Sequence, residues 1–97
     1  PCKWREQVAI AHGVSEEQCR LWDRVLAKVE KGTSQAIFST WVARTQLLEL
    51  QGDTAVIGLP NEYAKTMMEG RMRDGMQSAL EDETGRAVTL LFRVLCS

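Results

Sequence analysis

The stretch Thr45-Gln46-Leu47-Leu48-Glu49-Leu50-Gln51-Gly52-Asp53-Thr54-Ala55-Val56-Ile57-Gly58-Leu59 decides the fold class. Two apolar-rich runs, Thr45 to Gln51 and Thr54 to Leu59, flank Gly52-Asp53. A two-residue turn of that kind between such runs predicts a β-hairpin. Pro60-Asn61 closes the second strand and sets Asn61 as the N-cap of the segment that follows. From Glu62 to about Glu83 the period becomes helical, with Ala64, Met68, Met72, Met76 and Leu80 recurring at every fourth position. Gly70 and Gly75 interrupt this helix, each costing about 1 kcal/mol relative to Ala. They predict a closely packed neighbouring backbone or a bend. Gly85 marks the helix end, and Ala87 to Cys96 alternates as a third strand.

Upstream of the hairpin the pattern is helical. Lys3 to His12 places Trp4, Val8 and Ala11 at helical spacing, and Gly13 stops the run. Ser15-Glu16-Glu17-Gln18 reads as a capping box, with Ser15 as N-cap and Gln18 reaching back to it. The helix it opens carries the stripe Leu21, Trp22, Val25, Leu26 and Val29. Lys28 and Lys31 favour the dipole at its C-terminal end, which Gly32 closes. Thr33 or Ser34 then caps a shorter helix with Ile37, Phe38, Trp41 and Val42 on its apolar face. The order helix, helix, helix, strand, strand, long helix, strand predicts an α+β fold with one three-stranded sheet buried on one face beneath helices.

Ninety-seven residues make a single domain, and 44% hydrophobic with 26% charged residues is ordinary for a folded soluble protein. A formal net charge of -1 provides no global basic field for a nucleic-acid backbone. Cys2, Cys19 and Cys96 have no metal-ligand spacing, and with His12 as the one histidine no zinc site can be assembled. Three reduced thiols fit a cytoplasmic protein. No apolar run approaches the roughly 18 residues needed to span a bilayer, and Pro1-Cys2-Lys3-Trp4 is not a signal-peptide start. An opening without Met reads as a Met-processed chain or a fragment.

No nucleophile elbow, phosphate-binding lysine loop or zinc-protease motif is present, so no catalytic residue, cofactor, metal or small-molecule substrate is expected. His12 beside Gly13 reads as a surface or capping residue, and Glu81-Asp82-Glu83 as a solvated face. The candidate nucleic-acid residues are Lys65, Arg71 and Arg73, with Arg86 beside them. Arg73 is expected to pair with Glu69 at i, i+4. Gly70 and Gly75 do not form the GXXG clamp of a KH domain, so only weak single-strand contact is expected from this patch. Trp22, Phe38 and Trp41 read as core residues. Tyr63, in the first turn of the long helix, reads equally as a partner anchor or a packing residue.

Taken in order, Leu21-Trp22, Phe38-Ser39-Thr40-Trp41, Leu50-Gln51-Gly52-Asp53-Thr54, Pro60-Asn61-Glu62-Tyr63-Ala64-Lys65 and Leu90-Leu91-Phe92-Arg93-Val94 resemble the N-terminal domain of the bacterial replication initiator DnaA. The resemblance implies a KH-like α-α-β-β-α-β fold over residues 15–97, preceded by a helical extension at 1–14. It further implies a docking module that binds the replicative helicase and initiation regulators and self-associates. Carried onto this chain, the partner surface comprises Tyr63, Asn61, Glu62 and Trp41, and the self-association residues are Trp22 and Leu21. The alternative is a KH-like module that binds single-stranded nucleic acid weakly. The chain departs from the family in three places. Ile37 stands where some members carry an acidic residue before the Phe, Arg71-Met72 replaces the usual Arg-Tyr, and Pro1 to Val14 precedes the matching region. No ATPase or DNA-binding domain follows within these residues. The resemblance is therefore equally compatible with DnaA, with a plasmid, phage or mobile-element initiator, and with a free-standing mimic.

Overall fold

The computed structural model describes residues 3–95. Helix α1 spans Lys3–Ala11, α2 Glu16–Lys31 and α3 Gln35–Ile37, the last running directly into a π-helical turn at Phe38–Val42. Strands β1 (Gln46–Gln51) and β2 (Thr54–Leu59) follow, then α4 (Glu62–Met67), a second π-helical segment (Met68–Met72), α5 (Arg73–Thr84) and β3 (Thr89–Val94). The fold is α+β, with the elements in the expected order. Cys2, Cys96 and the expected last residue of the third strand lie outside the described residues.

The hairpin forms where its turn chemistry requires. Gln51 pairs with Thr54, and Gly52 takes φ +59° at the first central position, the requirement of a II′ turn. The sheet order is β1-β2-β3, antiparallel between β1 and β2 and parallel between β2 and β3. A parallel pair needs a crossover connection, and the helical run from Glu62 to Thr84 supplies it. The β1–β2 register slips between Leu47 and Glu49, making Leu48 the extra residue of a β-bulge. The hydrophobic alternation gave no sign of this bulge.

The core lies between the inner face of the sheet and the helical layer. Trp22, Val25, Leu26 and Val29 of α2 meet Met68, Met76 and Leu80, together with Leu47, Ile57, Leu59 and Leu90 from the sheet. Ser15 Oγ accepts the Gln18 N–H at 3.2 Å and caps α2, but the reciprocal bond from the Gln18 side chain is not formed among the described residues. Trp22 is fully buried and its indole N–H is satisfied, donating to the Thr45 carbonyl at 2.9 Å and to Thr45 Oγ1 at 3.2 Å. Thr45 Oγ1 in turn donates to the Val42 carbonyl at 2.8 Å. The loop entering β1 is thereby fixed to the middle of α2 by groups that would each be costly to bury unpaired.

The two glycines of the crossover helix play a different part from the one expected. A side chain at Gly70 or Gly75 would meet open space, so neither admits a neighbouring backbone. The helix instead widens into the π-helical segment around Gly70. The apolar stripe explains why. Side chains spaced four apart advance about 40° per step on a 3.6-residue helix, roughly 160° from Ala64 to Leu80. A turn that closes i to i+5 absorbs that drift, and Ala64, Met68, Met76 and Leu80 are all buried. Close packing occurs at Gly58 in β2, where a Cβ would lie 2.7 Å from Leu95 Cδ1 and 3.1 Å from Leu48 Cδ1.

Two further expectations are corrected. The run Glu81-Asp82-Glu83 is not merely a solvated face. Glu83 accepts from Arg24 Nε at 2.7 Å and lies 3.2 Å from Lys28 Nζ, while Glu81 Oε2 accepts the Val88 N–H at 3.0 Å. The hydrogen bonds from Arg24 and then Lys28 hold the Glu83 carboxyl below its ordinary value. The N-terminal helix packs onto the domain. Val8 is buried, and Arg5 reaches across with Nε on Gln46 Oε1 at 3.0 Å and a second nitrogen on Asp23 Oδ1 at 2.7 Å. Gln46 is almost wholly buried, so Arg5 satisfies a carbonyl oxygen that water reaches poorly.

Candidate docking surface

Local chemistry builds the start of α4. Asn61 adopts extended backbone angles (φ -159°, ψ 170°), and its Oδ1 accepts the Ala64 N–H at 2.8 Å, satisfying one of the free donors of a helix start. Ala64 turns into the core, which leaves Glu62 and Tyr63 on the solvent side of the first turn. Tyr63 is 66% exposed, high for a ring of this size.

The opposite wall comes from the π-helical turn at Phe38–Val42. Its wide geometry is seen in the Ala43 N–H, which bonds the Phe38 carbonyl five residues back at 2.9 Å. The turn buries Val42 and leaves Trp41 half-buried against the core. The Trp41 and Tyr63 rings meet edge to face, with centroids 5.0 Å apart and planes at 80°. That is the arrangement the ring quadrupoles favour, worth about 0.5–1.5 kcal/mol beyond burial. Tyr63 therefore serves both readings its position allowed: it packs on Trp41 and presents its other face to solvent. An aromatic held in one orientation loses little further rotamer freedom on binding.

The remaining candidate residues separate. Trp22 lies in the core and presents no surface, so a direct contact with a second copy through its ring is not open to it in this fold. Leu21, half-buried beside it, is the accessible member of that pair. The three basic candidates form no common patch. Lys65 is half-buried in a groove shared with Glu49, Glu62 and Arg93, where charges of both signs alternate. Arg71 is exposed on the π-helical segment. Arg73 does not pair with Glu69; it reaches the Leu90 carbonyl at 2.9 Å, and its guanidinium carbon lies 5.6 Å from the centre of the Phe92 ring.

Sequence reasoning missed Leu91, 52% exposed on the outer face of the sheet beside Val56. Its neighbours Leu90 and Phe92 are buried, so the apolar triplet Leu90-Leu91-Phe92 contains one residue that strand alternation must turn outward. Among the described residues no group of acidic, His and Cys side chains is placed to hold a metal ion. No described helix is long and apolar enough to cross a membrane.

The family model of the DnaA N-terminal domain matches residues 20–82. The chain belongs to the DnaA N-terminal domain family. The match runs from the first turns of α2 to the last turn of α5, and Trp41, Asn61, Glu62 and Tyr63 all fall within it. Helix α1 and strand β3 lie outside it. Membership places this DnaA N-terminal domain in DNA replication initiation, as a protein-interaction domain.

Proposed function

We propose that the domain docks the replicative helicase or an initiation regulator through the Tyr63–Trp41 pair, with Asn61 and Glu62 at its rim. The observation that carries this reading is Tyr63 itself, two-thirds exposed yet braced edge to face against Trp41. Rigid aromatics of this kind recur as energetic anchors of protein interfaces. Asn61 contributes by capping α4, which fixes the direction in which Tyr63 leaves the backbone. The module acts without catalysis, in the cytoplasm, and its self-association runs through Leu21 and its surroundings rather than through the Trp22 ring.

The experiment is a titration of the replicative helicase against the 97-residue chain and its Tyr63→Ala variant. Loss of about 1–3 kcal/mol of binding, with the variant's fold intact by circular dichroism, is the expected outcome. Unchanged affinity would show that the anchor lies elsewhere.

A further inference from the structure

Strand β3 lies at the edge of the sheet, parallel to β2. Thr89 N–H donates to the Asp53 carbonyl at 2.6 Å, and Leu95 N–H to the Leu59 carbonyl at 2.8 Å. Backbone groups alternate sides along a strand, so the odd-numbered residues of β3 bond to β2. The N–H and C=O groups of Leu90, Phe92 and Val94 therefore point away from the sheet. A row of that kind is a template for another strand, and folded proteins that stay apart cap or charge such edges.

Arg73 sits on this edge. Its guanidinium donates to the Leu90 carbonyl at 2.9 Å and lies over the Phe92 ring, with the carbon 5.6 Å from the centroid. Among the described residues it is the side chain that donates to an outward-facing carbonyl of β3. It is half-buried and anchored at the first position of α5, so the guanidinium is held there by the helix as well as by its own contacts.

We propose that Arg73 is an edge guard, which prevents β3 from pairing with β3 of a second copy of this chain. The register explains the choice of occupant. An antiparallel pairing centred on Phe92 sets its N–H and C=O against the same groups of the other copy and sets Leu90 against Val94. The Val94 N–H of each copy then needs the Leu90 carbonyl of the other, which is the acceptor Arg73 occupies. The guard removes one bond at each end of the shortest self-pairing and leaves a cation in its path. Beside this edge, the exposed Leu91 would supply the apolar contact between two joined sheets.

The test is sedimentation of the whole chain and its variants over a range of concentrations. Arg73→Ala is expected to self-associate at least about tenfold more strongly than the unchanged chain, and its Phe92 and Val94 amides are expected to gain protection from hydrogen exchange as concentration rises. Adding Leu91→Lys, a charge on the same edge, should return association to the starting level. Val29→Ala loosens the core away from β3 and should not associate. The proposal is overturned if Arg73→Ala leaves association unchanged, if Leu91→Lys does not reverse it, or if Val29→Ala associates as strongly.

Discussion

Trp22 and Trp41 make an instructive pair. Both stand on helical apolar stripes upstream of the hairpin, and both read from spacing as core residues. Trp22 is buried completely, with its N–H satisfied twice by Thr45. Trp41 is half-buried and spends one edge of its contact surface on Tyr63, which itself stays in solvent. The difference lies in what each ring faces. Trp22 projects from a long, regular helix toward a loop whose carbonyl and hydroxyl needed a donor. Trp41 projects from a π-helical turn at the margin of the layer, where only another aromatic covers it. One ring stabilises the fold, and the other orients a surface.

Mutations at each position should separate those roles. Trp22→Ala should cost about 3–5 kcal/mol in chemical denaturation, because it empties a large buried volume and strips the Thr45 carbonyl of its donor. Gly58→Ala tests whether the sheet tolerates filling where Leu48 and Leu95 converge. A loss of about 1–3 kcal/mol is expected from the overpacking, and an unchanged denaturation midpoint would mean both leucines can move aside. Tyr63→Ala, which should weaken helicase binding markedly, should lower stability by only about 0.5–1.5 kcal/mol, the scale of an aromatic pair. If it unfolded the domain as Trp22→Ala does, the distinction between the two rings would collapse.

The smallest effect concerns pH. Arg24 and then Lys28 hold the Glu83 carboxyl below its ordinary value of 4.5. A carboxyl whose folded value is depressed stabilises the fold above its unfolded value, and that contribution disappears as pH falls through the lowered one. Glu83→Gln should therefore flatten the acid limb of the stability profile below about pH 4.5 while leaving the neutral plateau little changed. Salt should weaken the effect, since Arg24 is largely exposed.

The features legible in the sequence were those set by chemistry within a few residues. Gly52-Asp53 specified its turn, Ser15 and Asn61 capped their helices, and Gly85 stopped α5 with φ +73°. What escaped notice depends on distant partners. Arg73 offered an obvious mate four residues away but reached a carbonyl 17 positions along the chain. Glu83 looked solvated until α2 brought Arg24 beside it. A glycine announces freedom of the backbone without saying what uses it, which is why Gly58, inside an unremarkable strand, was the crowded one. The Tyr63 position was visible from the cap that precedes it, whereas its brace by Trp41 required the fold.

The π-helical segment at Met68–Met72 also works as a phase adjuster between the two ends of the crossover helix. Removing one residue there would restore an uninterrupted α-helix, but it would turn α4 by about 100° against α5 and shorten their separation by about 1.5 Å. The methionine stripe would then be divided between core and solvent, and Tyr63 would swing away from Trp41. One residue's worth of helix far from the aromatic pair thus sets where that pair meets, and insertions or deletions in this helix carry a geometric penalty that a substitution does not.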